Sequence, residues 1–153
     1  MEVVFLQYSE GTLGRVFILR IDDGEDLIES ILKLVRRTNL KSCIGLFIGA
    51  LKDGKAVTGP ESAVLPPEQH FESYSSAWEV FGMVTVYPSV EGPKIHIHSS
   101  LGRGREALVG CLRDNATVYL VNEVVIFEIT GLDARRELDE RIGLHLLNLD
   151  RKL

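Results

Sequence analysis

Apolar side chains change their spacing along the chain, and each change marks an element. From Gly14 to Ile21, β-branched and aromatic residues (Val16, Phe17, Ile18, Ile21) form a run that stops at Asp22-Asp23-Gly24, the pattern of a strand closed by a turn. From Glu25 to Thr38, Leu27, Ile28, Ile31, Leu32, Leu34 and Val35 fall at helical spacing and predict one amphipathic helix. Asp22 or Asp23 is expected to cap its first amides. Glu25 and Asp26 suit the positive end of its dipole, and Arg36 and Arg37 the other.

Beyond Asn39 the pattern becomes extended. Ser42 to Leu51 is small and apolar, with Gly45, Gly49 and Ala50 implying close approach to that backbone. Asp53-Gly54 reads as a turn, and Pro60 and Pro66-Pro67 interrupt the next segment. Four more extended stretches are expected at Gln69–Ser75, Trp78–Tyr87, Lys94–Ser99 and Ala116–Ile129. Short turns rather than helical crossovers join them, so the sheet should be mostly antiparallel with the helix packed on one face, an α+β domain. Near the end, the pairs Arg135/Asp139, Arg136/Glu140 and Glu137/Arg141 stand four residues apart and predict a short helix, with a strand or tail after Gly143. No repeat or linker divides residues 1–153, which are expected to form a single domain.

Composition narrows the classes. The longest stretch without a charged side chain, Val80 to Val90, has 11 residues and contains Pro88, whereas a bilayer crossing needs about 18–20 apolar residues. The opening Met1-Glu2-Val3-Val4-Phe5 has an acid where a signal peptide carries basic residues, and a cytoplasmic location is expected. Cys43 and Cys111 are too few for a disulfide framework and should be reduced. A formal charge of -5 opposes nucleic-acid phosphate on average.

One segment carries candidate chemistry: Lys94-Ile95-His96-Ile97-His98-Ser99-Ser100. On a strand, residues two apart share a face, so His96 and His98 project together, as two ligands of one metal would. The same spacing also suits two histidines on a half-exposed strand. Cys111 lies 13 residues past His98, beyond the Gly102-Arg103-Gly104-Arg105 loop, and a hairpin return would bring its thiol to the imidazoles. Imidazole plus thiolate favours zinc over magnesium or calcium and leaves a fourth position open. His70 and His145 are available for it, although nothing in their spacing selects either. As a buried small hydrophobe, Cys111 would need no metal.

Gly14-Arg15 through Gly24-Glu25-Asp26-Leu27, Ile48-Gly49-Ala50, Trp78-Glu79-Val80, His96-Ile97-His98, Gly110-Cys111-Leu112 and Asn122-Glu123-Val124-Val125-Ile126 together resemble the plants-and-prokaryotes-conserved (PPC) domain. The tail Asp139-Glu140-Arg141-Ile142-Gly143-Leu144 is similar to that family's closing turn. The resemblance implies an antiparallel α+β fold, a homotrimer, and a metal held by the His-x-His strand with a downstream histidine in a Gly-Gly-His-Leu motif. That motif reads Val109-Gly110-Cys111-Leu112 here, so a thiolate stands in for the family's imidazole and the implied ligands are His96, His98 and Cys111.

Other positions depart from the family. Plant members carry DNA-binding hooks with an Arg-Gly-Arg-Pro core outside the domain, whereas this chain has Arg103-Gly104-Arg105-Glu106, whose acid would repel a minor groove. Arg103 and Arg105 are instead candidates for holding a carboxylate or phosphate. The plant partner-docking step Gly-Arg-Phe-Glu-Ile reads Ser76-Ala77-Trp78-Glu79-Val80 and lacks its arginine. Glu79 and Glu123 sit in apolar strands, where each must be exposed, paired or near a cation. If one stood near a metal-bound water it could act as a general base. Three functions are compatible with these residues: a homotrimeric zinc-binding module for a small anion or protein partner, a zinc hydrolase using Glu79 or Glu123, and a DNA-binding protein.

Overall fold

A computed structural model describes residues 6–152; the opening Met1–Phe5, on which the leader reading rests, lies outside the described residues. The elements in chain order are β1 (Gln7–Tyr8), β2 (Thr12–Asp22), α1 (Leu27–Thr38), β3 (Cys43–Val57), β4 (Phe71–Ser89), β5 (Gly92–Arg103), β6 (Glu106–Thr130), β7 (Ala134–Asp139), β8 (Leu144–Leu149) and β9 (Arg151–Lys152). The fold is thus mostly antiparallel β structure with one short helix.

The main sheet runs β2-β6-β3-β4-β5, and β5 pairs back onto β6. This is possible because β6 is 25 residues long: its later part pairs with β2 and β3, while its first residues, 106–111, close on β5. The result is a small barrel-like sheet. Its core includes Phe47, Leu51, Val84, Val86, Ile97, Val124 and Ile126, joined by Leu27, Ile31 and Val35 from the helix stripe. Strand alternation turns the intervening residues outward. Along one row of the ladder Ile18 faces Val125, Val125 faces Leu46, Leu46 faces Met83, and Met83 faces His98. Ile18, Leu46 and Met83 on that row are 73%, 52% and 45% exposed, and Val16, Ile48 and Phe81 extend the apolar surface beside them.

The small residues of Ser42–Leu51 have a packing reason. A Cβ on Gly45 would lie 2.5 Å from Ile126 Cδ1 and 2.8 Å from Val84 Cγ1, on the neighbouring strands.

Four expectations are corrected. Asp26, not Asp22 or Asp23, caps the helix: its Oδ1 accepts from Glu29 N at 2.9 Å, and its Oδ2 accepts from Ala116 N at 2.7 Å. Asp23 is instead engaged by Lys52 Nζ and the Leu120 amide. Asp53-Gly54 is not a chain reversal but an irregularity within β3, where glycine lets the strand pass against the Asn115 carbonyl and Tyr74 hydroxyl. The stretches Gln69–Ser75 and Trp78–Tyr87 belong largely to the single strand β4, which bends at Ser76 with φ 68°.

The fourth correction concerns the C-terminal segment. Ala134–Asp139 is a strand, paired with Leu144–Leu149 through a turn in which the Asp139 carbonyl accepts from Gly143 N at 2.7 Å. Helical ion pairs are worth only about 0.2–0.5 kcal/mol each. The hairpin instead buries Ala134, packs β7 against β4, and forms the strand-spaced pair Arg135–Glu137 at 2.8 Å.

Candidate metal centre

Ladder register assembles the site. On β5, His96 lies opposite Thr85 and His98 opposite Met83 of β4. The chain reverses tightly between Arg103 and Glu106, so that Cys111 on β6 comes directly opposite His98. The ligand atoms of His96, His98 and Cys111 all lie within 4.8 Å of one another. The imidazoles meet edge to face at 77°, with Nε2 atoms 3.1 Å apart. On a tetrahedral zinc with bonds of about 2.0–2.1 Å, two nitrogens would be about 3.3 Å apart and nitrogen and sulfur about 3.6 Å. The histidine pair, at 3.1 Å, is close to that spacing, and the thiol closes from within 4.8 Å by a shift of about 1.2 Å at most. The donor set therefore fits zinc.

The surroundings are cationic. Burial first, then Arg136, His98 and Arg113, push the His96 pKa down to about 4, which keeps its imidazole neutral, the form that ligates. Burial raises the Cys111 thiol, opposed by Arg113, the Ile97 backbone and Arg136. An arriving ion must therefore displace the thiol proton. Arg136 reaches in from β7: Nη2 donates to Thr85 Oγ1 at 3.2 Å and to His96 Nδ1 at 3.4 Å, and Nη1 donates to the His145 carbonyl at 3.3 Å.

A guanidinium can only donate, so His96 Nδ1 accepts and the ring proton sits on Nε2, facing His98. A metal held through Nε2 would need the ring proton on Nδ1, where Arg136 now donates. Metal-bound histidines ordinarily direct this nitrogen at an acceptor. An arginine there is a distinctive feature of this centre.

The other candidates lie elsewhere. Arg103 and Arg105 are exposed at the β5–β6 turn, five and more residues beyond His98 and so about 16 Å along the strand. They do not flank the cluster. Glu79 and Glu123 are exposed and line a separate cavity of about 610 Å³ with Ile48, Phe81 and Gly102. Neither has an ion pair among the described residues, and the cluster contains no carboxylate. His70 pairs with Glu72 at 3.0 Å and His145 lies on β8, so neither joins the group. Sequence reasoning missed Arg113 and Arg136. Arg113 stands two residues past Cys111 and shares its face, a signal that was available. Arg136 was hidden by the helical reading of its segment.

The family model for the Plants and Prokaryotes Conserved (PCC) domain matches residues 8–130. The chain belongs to this family. A PPC protein of Pyrococcus horikoshii superposes with a TM-score of 0.77 at 22% identity, over 93% of this chain and 96% of that one. A metal-containing protein of Archaeoglobus fulgidus gives 0.82 at 24% identity over 94% and 99%, and a candidate DNA-binding protein of Ralstonia eutropha gives 0.72 at 16% over 87% and 90%. At these identities the likeness establishes the fold. A comparison with curated proteins finds no match. Among the described residues, no helix is long and apolar enough to cross a membrane.

Proposed function

We propose that this PCC-domain chain is a single-domain, cytoplasmic, homotrimeric zinc-binding module whose metal is held by His96, His98 and Cys111 and which recognises a small anion or a protein partner. The observation that carries the reading is the convergence of two imidazoles and one thiol within 4.8 Å. The metal-containing relative from Archaeoglobus fulgidus supports it. When bound, zinc would supply a Lewis acid and a fixed positive charge. The exposed apolar row through Ile18, Leu46 and Met83 supports self-association, because such a surface favours burial against a second copy.

The hydrolytic reading is weaker, because the groups around the cluster are guanidiniums and the candidate bases Glu79 and Glu123 line the other cavity. DNA binding has one specific support: relatives from Ralstonia eutropha and Bacteroides thetaiotaomicron are candidate DNA-binding proteins. The net charge of -5 opposes it. Retention of duplex DNA at low salt, weakening steeply as salt rises, would revive it.

The deciding experiment is elemental mass spectrometry on protein purified without chelator or affinity tag, beside His96→Ala and Cys111→Ala. Near one zinc per chain is expected, lost in both variants. Absence of metal from every sample would sink the zinc half, and a clean monomer by light scattering at micromolar concentration would sink the trimer.

A further inference from the structure

On the far side of His96 from the cluster, the β7–β8 hairpin, β5 and the bend after Arg113 enclose a cavity of about 430 Å³. That volume is within the range of small-molecule sites. Its charged lining is Lys94, Arg113, Arg136 and Asp114, with His96 and His145 beside them. Lys94 is already paired with Glu91 at 2.5 Å. Arg113 and Arg136 have no carboxylate partner among the described residues, and the Nε of each is buried without a hydrogen bond. Asp114, the one acid in the lining, is exposed and pairs with neither.

Two guanidiniums with buried, unused donors are costly unless something accepts from them. The guanidinium fork matches the oxygens of carboxylate and phosphate. The remaining wall is largely apolar, from Phe71, Ile95, Leu144 and Leu146.

We propose that this cavity binds a small organic oxyanion, its carboxylate or phosphate group held by Arg113 and Arg136 and its apolar part set against Phe71, Leu144 and Leu146. The site deepens the binding-module reading by naming the ligand class and the residues that recognise it. It replaces the exposed Arg103 and Arg105 as the anion-holding pair. Because Arg136 also faces His96 Nδ1, the ligand sits one side chain away from the candidate metal.

The test is isothermal titration calorimetry of the full chain, both chelator-treated and zinc-loaded, with benzoate, phenyl phosphate and the neutral benzyl alcohol as probes. At least one anion should saturate at one per chain, and whichever binds more tightly identifies the carboxylate or the phosphate class. Benzyl alcohol should not bind. Arg113→Gln, whose side chain makes no hydrogen bond among the described residues, and Arg136→Gln should each weaken binding about tenfold or more. Arg103→Gln should not. Failure of both anions to saturate, equal binding of benzyl alcohol, or unchanged affinity in Arg113→Gln would overturn the proposal. Metal content is read separately, so a protein that carries zinc but ignores the anions refutes this site alone, and one that binds anions without zinc refutes the metal alone.

Discussion

At one end of β5, His96 and His98 meet Cys111 beside two guanidiniums, one of them brought to His96 by the C-terminal hairpin; at the other, Ser100 and Gly102 join Glu79 and Glu123 around a cavity lined by the exposed Ile48 and Phe81. Both regions are strand ladders with polar side chains on an apolar background. They differ in what covers them. β7 and β8 bring Arg136 onto the outward row of β4 and β5, against the half-buried His96, while His98 beside it stays exposed. Glu79 and Glu123 have no such cover within one chain and stay exposed, without an ion pair among the described residues. Strand register gathers the three ligands, and the hairpin adds a cation beside them.

Core packing beneath the sheet differs between Gly82, in the middle of β4, and Gly102, at the open end of β5. A Cβ on Gly82 would run into the His98 carbonyl and the Phe47 ring, on both of its neighbouring strands, whereas a Cβ on Gly102 at the open end meets nothing within 4 Å. Gly82→Ala should therefore cost about 1–3 kcal/mol or more, by the strain of overpacking. Gly102→Ala should stay within about 0.5 kcal/mol. Urea unfolding of the pair measures both, and equal effects would refute the difference in packing at the two glycines.

A smaller effect is expected at Asp26, which ties the covered end to the helix. Its carboxylate accepts from Glu29 N on one oxygen and from Ala116 N on the other, just past Asp114 and Asn115 with φ 35° and 57°. That left-handed pair is the bend beyond Arg113. Asp26→Ala removes a helix cap and leaves the Ala116 amide without its partner, for a loss of about 1–2 kcal/mol. Asp22→Ala, at the residue that sequence spacing also offered as the cap, should cost less. If the two losses are equal, Asp26 is not the cap in solution.

How much of this was legible in the sequence depended on range. The helix followed from the spacing of Leu27, Ile31 and Val35, and the extended stretches from β-branched alternation, because both patterns are local. The encounter of His98 with Cys111 was readable because a tight Gly-containing turn constrains a 13-residue return. Arg136 was not, since its partners Thr85 and His96 are 51 and 40 residues away and its own neighbourhood carries charges at helical spacing. The same limit leaves sequence unable to say how far the anion-holding candidates Arg103 and Arg105 stand from the cluster, and the strand carries them away from it. Likewise Asp53-Gly54 looks like a turn until the close approach of Asn115 and Tyr74 explains why glycine stands within a strand.

The smallest predicted effect lies outside both ends of β5 and tests whether charge there is independent of them. Arg15 on β2 grips Glu128 on β6 through Nε at 2.7 Å, Nη2 at 2.8 Å and its own backbone amide at 3.0 Å, and a Cβ on Gly14 would come within 2.7 Å of the same carboxylate. The Arg15 side chain and its amide hold the Glu128 pKa down to about 2, below the ordinary 4.5. Between those values the unfolded chain takes up a proton that the folded chain refuses, so the contribution is complete above pH 4.5 and fades as pH falls toward 2. Glu128→Gln should therefore flatten the pH dependence of the unfolding midpoint in that window, and it should leave zinc content and oxyanion affinity at pH 7 unchanged. The difference should shrink in high salt, because Arg15 is half exposed. A variant with an unaltered acid slope would show that the pair forms equally in the unfolded chain, and a change in zinc content would show that the β2 edge and the covered end of β5 are coupled through β6.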